Sequence, residues 1–306
     1  MSSGPHHYVL CCAGVAPMSQ RYLEEVKDIF RRHRISVTQI DDRSRDRFSS
    51  LEVCASTERP VDTGLLKLDL MKLADDHKID AAFIEDTLFR SKKKLIVFDM
   101  DSTLIQGEVI NEMANLHGIG AAVGAITKRA MEGELSFDES LRQRIALLKG
   151  FPKSKMEQIH HRLKLSPGAD RLVRTVKQQG YKTAIVSGGF RFFADALGEE
   201  LGIDYVYAND LDWDGDVLSG KVNGAIVNAE KKAELLDVLC AGEKIDLAQV
   251  VAVGDGANDL LMLAKAGMGI AYHAKDKVKR ESRHHLSHGP MTVILYFLGI
   301  AGDHFE

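Results

Sequence analysis

The sequence predicts an α/β protein: a doubly wound parallel sheet with a helical insertion over one end, preceded by a smaller βαββαβ unit. Three observations carry that expectation. Short aliphatic runs at residues 95–98, 183–186 and 250–253 alternate with stretches of helical spacing, the order in which parallel sheets are wound. Each run stops abruptly at glycine and polar residues, namely Asp99-Met100-Asp101-Ser102-Thr103, Ser187-Gly188-Gly189 and Gly254-Asp255-Gly256-Ala257-Asn258-Asp259. Before residue 91 the order differs, with strand and helix patterns arranged so that two strands follow one another directly.

Length and charge limit the function classes. A chain of 306 residues allows two domains and a large core. A net charge of −4 gives no positive field to draw the chain to nucleic acid or a membrane surface. The longest apolar run, residues 291–301, is short and contains Gly299, so a buried terminal helix is expected there rather than a membrane span. His6 and His7 are followed by no basic region and long apolar segment, so no secretory signal is expected. Cys11, Cys12, Cys54 and Cys240 form no C-x-x-C pair and read as small buried hydrophobes in a reducing compartment. A cytoplasmic protein follows.

The N-terminal unit, residues 1–90, is justified element by element. Residues 8–12 are a strand. Tyr22, Leu23, Val26, Ile29 and Phe30 fall on one face of a helix over 19–32. Strands at 36–40 and 50–55 flank the charged residues 41–47, a second helix covers 65–73, and a fourth strand covers 81–85. That order is ferredoxin-like, one sheet with two helices on one side. Its order and size resemble an ACT-type regulatory module. The first loop, Ala13-Gly14-Val15-Ala16-Pro17, carries no acid, so amino-acid binding and a purely dimerising or packing role both stay open. Ser91-Lys92-Lys93-Lys94 reads as a solvated linker into a second domain, 91–306.

That second domain begins with Leu95-Ile96-Val97-Phe98, four apolar residues that suit a strand buried on both faces. Two carboxylates follow, and like charges so close must be hydrated, paired or metal-bound. Residues from about 107 to 166 contain no strand pattern and read as a helical cap. Within it Ser136 and Glu139 have capping-box spacing, ahead of Leu141, Ile145 and Leu148 on one helical face. The sheet then resumes with a helix over 170–179, a strand at 183–186, a helix over 190–201 and a strand at 205–207. A hairpin excursion over 209–228 turns at Asp214-Gly215. A helix over 229–239, the strand at 250–253, a helix reaching Ala266 and a short strand at 269–271 complete it.

In a parallel sheet the polar strand ends share one edge, and ligands bind beyond it. Taken singly, Ser187-Gly188-Gly189 and Gly254-Asp255-Gly256 could be turn chemistry. Their joint occurrence with Asp99 and Asp101, in order, marks a site. Lys231 and Lys232 open a helix, and either could direct a positive charge at a bound anion.

Asp99-Met100-Asp101-Ser102-Thr103, Ser187-Gly188, Lys232 and Gly254 through Asp259 resemble, in order, the motif set of the haloacid-dehalogenase-like (HAD-like) phosphohydrolases, whose core is a Rossmannoid sheet. The resemblance covers residues 95 to about 290 and is nearest to the branch that hydrolyses O-phospho-L-serine to serine and phosphate, the last step of serine biosynthesis. It implies that Asp99 is the nucleophile, forming an aspartyl-phosphate, and that Asp101 is the general acid and base. It implies Mg²⁺ held by Asp99, the main-chain carbonyl of Asp101 and Asp255, with Asp259 supporting that shell. Ser187, the Gly188 amide and Lys232 would hold phosphate, and Asn258 would position phosphate or substrate. Lys232 rather than Lys231 stands in the family's Lys-x-x-x-Leu context.

Elementary electrostatics agrees with those roles. A phosphate monoester is a dianion, so a bare carboxylate is repelled unless cations neutralise the charge. Mg²⁺ takes hard oxygen ligands of this type. An acidic neighbourhood favours a protonated Asp101, and a proton donor to the leaving alkoxide is commonly worth ~10²–10⁴-fold. At family positions in the cap, Glu108 would meet the substrate's ammonium and Arg144 its carboxylate, with Met131 and Phe137 as an apolar wall. His284 and His288 have i, i+4 spacing but no evident third ligand, and are expected at the surface. The expected partner is a small molecule, phosphoserine, and a homodimer through the N-terminal unit is one of the roles open to residues 1–90. The alternatives are a phosphatase of the same fold for phosphohomoserine or phosphothreonine, and a non-catalytic amino-acid sensor.

Overall fold

The computed structural model describes residues 5–15, 17–44 and 48–300. Ala16 of the first loop, residues 45–47 of the charged link and Ala301 at the end of the terminal apolar run lie outside the described residues.

The N-terminal unit runs β1 (His6–Gly14), α1 (Gln20–Arg32), β2 (Ser36–Asp42), β3 (Ser49–Thr57), α2 (Thr63–His77) and β4 (Asp80–Glu85). Ser19 caps α1 by accepting the Tyr22 amide at 3.2 Å, and Asp62 caps α2 through Gly64 and Leu65. The strands form an antiparallel sheet in the order β2-β3-β1-β4, as a ferredoxin-like βαββαβ unit requires. One sheet face, with Leu10, Cys12, Val53 and Ala55, packs on Tyr22, Val26, Phe30, Leu66 and Leu70 of the two helices.

Its other face is largely covered along β1 and β4. Val9, Cys11, Ala13, Ala82 and Ile84 belong to the same hydrophobic cluster as Val293 to Phe297 near the chain's end. A short helix α3 (Asp86–Arg90) and residues 91–94 connect the two sheets. The expected solvated linker is corrected at Lys93, which is buried and donates to the Leu88 carbonyl and the Ser91 hydroxyl, both at 2.6 Å. Lys92 and Lys94 are exposed as expected.

The larger sheet has seven strands. After β5 (Leu95–Phe98) come four helices, α4 (Val109–His117), α5 (Gly120–Met131), α6 (Phe137–Leu147) and α7 (Lys153–His160). Then follow α8 (Ala169–Gln178), β6 (Lys182–Phe190), α9 (Arg191–Leu201), β7 (Tyr205–Asp214), β8 (Val217–Asn223) and α10 (Ala229–Glu243). The chain closes with β9 (Val250–Gly254), α11 (Leu260–Lys265), β10 (Met268–Tyr272), α12 (Asp276–Glu281), β11 (His284–Leu286) and α13 (Val293–Phe297). The strand order is β11-β10-β9-β5-β6-β7-β8, parallel throughout except for the β7–β8 hairpin. β5 therefore lies at the centre, covered on both faces, and every residue of it is buried.

Helices α4 to α7 make the cap. Its two connections to the core pair with each other: Gln106 donates to the Lys164 carbonyl at 2.8 Å and Ser166 to the Leu104 carbonyl at 2.8 Å. The capping box at Ser136 and Glu139 forms, with Leu141 and Ile145 buried behind it. No helix among the described residues is long and apolar enough to cross a membrane, and the terminal run instead forms the buried α13.

Two histidines correct a second expectation. His284 is buried in β11, and only His288 is partly open, paired with Asp75 of α2 at 2.9 Å. They sit in the seam between the two sheets. In the same seam the buried Asp80 accepts the amides of Ser287 (2.6 Å), His288 (3.1 Å) and Gly289 (2.6 Å).

Candidate active site

The site grows from the end of β5. The Asp99 amide still donates to Val253 of β9 at 2.9 Å, so Asp99 is held by the ladder. The chain then makes a wide turn over Met100–Leu104, closed by the Ile105 amide on the Met100 carbonyl at 3.1 Å. Ser102 enters the left-handed region at φ +56°, unusual for a residue with a Cβ, and its amide donates to the Gly107 carbonyl. This curl brings Asp101 back over the strand end. The amide of Val109, first residue of α4, fixes the Asp101 carboxyl at 2.8 Å.

The adjacent strand ends complete the floor. Lys232, in the first turn of α10 and fully buried, spans Asp99 Oδ1 and Asp259 Oδ1, each at 2.6 Å. Its neighbour Lys231 instead pairs with Glu234 at the surface, at 2.7 Å. Asp259 also accepts the Gly256 amide at 2.9 Å, and Asp255 accepts the Thr103 hydroxyl at 3.1 Å. Carboxylate oxygens of Asp99, Asp255 and Asp259 all lie within 4.8 Å of one another. Three acids surround one ammonium.

That imbalance sets the electrostatics. Burial, then repulsion from Asp259, pushes Asp99 well above the carboxylate range, with Lys232 opposing. Asp255 rises to about 7, through burial first and then Asp259 and Glu108. Burial alone would discharge Lys232, but Asp259 and Asp99 outweigh it and hold the ammonium charged. Asp101 rises to about 8 because burial and then the Glu108 charge disfavour its anion, although the Val109 amide favours it. The hard oxygens of Asp99, Asp255 and Asp259 suit a divalent cation, and an added positive charge would relieve the repulsion that raises Asp99 and Asp255.

Above this floor is one cavity of about 90 Å³. Asp99, Asp101, Glu108, Phe137, Arg144, Ser187, Gly188, Asp255 and Asn258, all named from sequence, line it. Lys232 and Asp259 lie directly beneath. Glu108 is raised by burial of its carboxyl, with Arg144 the first opposing influence, although the residue as a whole keeps an exposed edge. Arg144 is half-buried, and its Nε donates to the Ser140 carbonyl one turn back at 3.3 Å.

Met131 is not among the lining residues. It sits at the end of α5 with 67% of its surface exposed, beside Thr127 and Lys128 on the outside of the cap, because α5 turns Val123 inward instead. The apolar wall is made by Phe137 with Ile110 and Leu141, which sequence reasoning missed. The helical spacing of Leu141 marks it only as core. Asp259, expected behind the metal ligands, places a carboxylate oxygen within 4.8 Å of those of both Asp99 and Asp255. Gly189 was read as a turn residue. A Cβ there would fall 2.3 Å from Asp101 Oδ2, so the glycine is the space that the Asp101 carboxyl occupies.

Comparisons with known proteins agree with this geometry. Residues 93–267 match the haloacid dehalogenase-like hydrolase family. A phosphoserine phosphatase of Archaeoglobus fulgidus is 45% identical over 218 residues, which cover 71% of this chain and 63% of that one. The chain spans 59–63% of the length of this and two other curated relatives, from Mycobacterium tuberculosis and Vibrio cholerae. Among solved structures, a HAD family hydrolase of Salmonella enterica serovar Typhi superposes with a TM-score of 0.84 at 30% identity, covering 95% of this chain and 98% of that one. A phosphoserine phosphatase held as a phospho-aspartyl intermediate analogue superposes with a TM-score of 0.64 at 42% identity, over 68% of this chain and 99% of the other.

Proposed function

The chain belongs to the haloacid dehalogenase-like hydrolases, and from that premise we propose that it hydrolyses O-phospho-L-serine to L-serine and phosphate. One observation carries the reading: a single small cavity joins a phosphoryl-transfer end, Asp99, Asp101, Ser187 and Gly188 above Lys232, to a zwitterion end, Glu108 and Arg144. The phosphoserine phosphatases among its relatives support it.

In this assignment Asp99 attacks phosphorus and becomes an aspartyl-phosphate. Lys232 favours the ionised form of Asp99 against burial and Asp259, and presents positive charge to the phosphoryl oxygens. Ser187 and the Gly188 amide hold those oxygens, and Asn258 orients them. Asp101, protonated at neutral pH by its buried surroundings, donates to the serine alkoxide as it leaves and then takes a proton from the attacking water. Arg144 suits the substrate carboxylate and Glu108 its ammonium, with Phe137 closing the cavity beside Gly188. Mg²⁺ held by Asp99, the Asp101 carbonyl and Asp255, with Asp259 in support, would neutralise charge on the transferring group.

We assign residues 91–306 to the phosphatase domain, with its cap at 107–166. Residues 1–90 serve assembly, as a homodimer formed through the exposed edge strand β2. Phosphate release from L-phosphoserine, phosphothreonine and phosphohomoserine, with Mg²⁺ and with a chelator, tests the function. Metal-dependent turnover with phosphoserine preferred is expected. A preference for another ester would move the substrate, and no phosphate release from any of them would remove the proposal.

A further inference from the structure

Strand β6 does not follow β7 evenly. Pairing runs from Ala184 to Val186 opposite Tyr205 to Tyr207, then resumes only at Phe190 opposite Asn209. Ser187, Gly188 and Gly189 therefore bulge from the ladder with Ala208 alone across from them. A bulge re-aims a strand toward a site but leaves its peptide groups without ladder partners. Here one side chain supplies what the ladder does not.

Asn209 is fully buried on β7. Its Nδ2 donates to the Gly188 carbonyl at 2.8 Å, and its Oδ1 accepts the Val227 amide at 2.7 Å. A carbonyl on one side and an N–H on the other leave one orientation for the amide. The peptide between Gly188 and Gly189 is then gripped at both ends, because the Gly189 amide donates to Ser187 Oγ at 2.9 Å. Having accepted that bond, the Ser187 hydroxyl keeps its own proton to donate into the cavity. The second arm reaches the other phosphate-holding element. Val227 precedes Asn228, which caps α10 by accepting the Lys231 amide at 3.0 Å, and Lys232 is the next residue.

We propose that Asn209 is a positioning residue that fixes the spacing between the Ser187–Gly189 bulge and the start of α10. It thereby fixes the groups assigned to the phosphoryl oxygens, Ser187 and Gly188 on one side and Lys232 on the other. Asn209 does not line the cavity and acts only through these groups. The inference rests on the function proposed above, and it deepens that reading by naming what holds the phosphate cradle together. Catalytic groups displaced by about 1 Å can lose ~10²-fold in rate, so slack in this link falls on turnover more than on substrate capture. The amino-acid end, Glu108 and Arg144, is carried by the cap, whereas Asn209 bonds Gly188 and Val227 of the core; the cap meets the link through Asn228, whose Nδ2 donates to Asp138 Oδ1 at 3.2 Å.

The test is Asn209→Ser, which leaves room for a water to satisfy both backbone groups while loosening the link. Asn209→Thr, whose branched side chain suits a strand, is read in the same way if the serine variant does not fold. With circular dichroism unchanged, kcat for L-phosphoserine should fall about 10–100-fold while KM stays within about threefold. The inhibition constant for inorganic phosphate should rise about tenfold and that for L-serine should not move. A lower melting temperature with kcat and phosphate inhibition both within about twofold of the parent would reduce Asn209 to a structural role and overturn the proposal. If the parent protein leaves phosphoserine intact, the function reading fails, yet calorimetric binding of inorganic phosphate to parent and variant still decides the role of Asn209.

Discussion

The sharpest geometric consequence of the site concerns Gly189→Ala. A methyl group on Gly189 would lie 2.3 Å from Asp101 Oδ2, 2.8 Å from the Met100 methyl and 3.1 Å from Ser187 Oγ. Carbon and oxygen do not approach so closely, so the Asp101 carboxyl must retreat by roughly 1 Å, a displacement that commonly costs ~10²-fold in rate. The backbone at Gly189 is not left-handed, so alanine adds bulk without conformational strain. An alkoxide leaving group needs the proton of Asp101, whereas nitrophenolate leaves without help. We therefore expect kcat for L-phosphoserine to fall ~10²-fold, about 2.7 kcal/mol of transition-state stabilisation, and kcat for p-nitrophenyl phosphate to fall by less than about fivefold. Stopped-flow and steady-state assays of both esters make the comparison. Equal losses on the two substrates would refute the assignment of Asp101 as the proton donor displaced by the methyl group.

Three further outcomes follow from the packing. Asp80→Asn turns an amide donor toward one of the backbone N–H groups of 287–289 and should lower stability by about 2–3 kcal/mol in urea unfolding; an unchanged midpoint would show that the seam between the sheets does not depend on that carboxylate. Burial holds His285 down to about 4 and His284 down to about 3, against an ordinary value of 6.5, so both are neutral in the fold and gain protons on unfolding. The stability they allow is complete above pH 6.5 and drains as pH falls toward 4, by roughly 3 kcal/mol for His285 alone; His285→Phe should flatten that part of the stability curve, and an identical slope in the variant would contradict this. Met131→Ser should leave kcat/KM within about twofold, since the side chain lies outside the cavity, while Phe137→Ala should lower it by about tenfold or more; a large effect at Met131 would mean that the cap wall is built differently.

Much of this architecture was legible because strong local signals coincide with tertiary roles. The aliphatic run ending in Asp99 and Asp101 suits a doubly covered strand with a polar mouth, and it is the central strand β5. The capping box at Ser136 marks the start of α6. What sequence could not supply was contact across elements. Nothing local separates Met131, on the outer side of α5, from Phe137 on the inner side of α6, since both are apolar residues at a helix end. Lys93, His284 and Asp80 look like surface polar residues in the sequence but are buried in the fold, and Lys93 and Asp80 find backbone partners there that composition cannot reveal. Asn209 was read only as the start of a hairpin, because the bulge it steadies exists only once β6 and β7 are paired.

The central claim is that the Asp99 carboxylate attacks phosphorus. Acid quenching during turnover of L-phosphoserine, reduction with borohydride and peptide mass spectrometry test it directly, because an aspartyl-phosphate is reduced to homoserine whereas a free carboxylate is not. We expect homoserine at position 99 in a substrate-dependent amount, and none in Asp99→Asn. Reduction at another residue, or sustained turnover by Asp99→Asn, would contradict it.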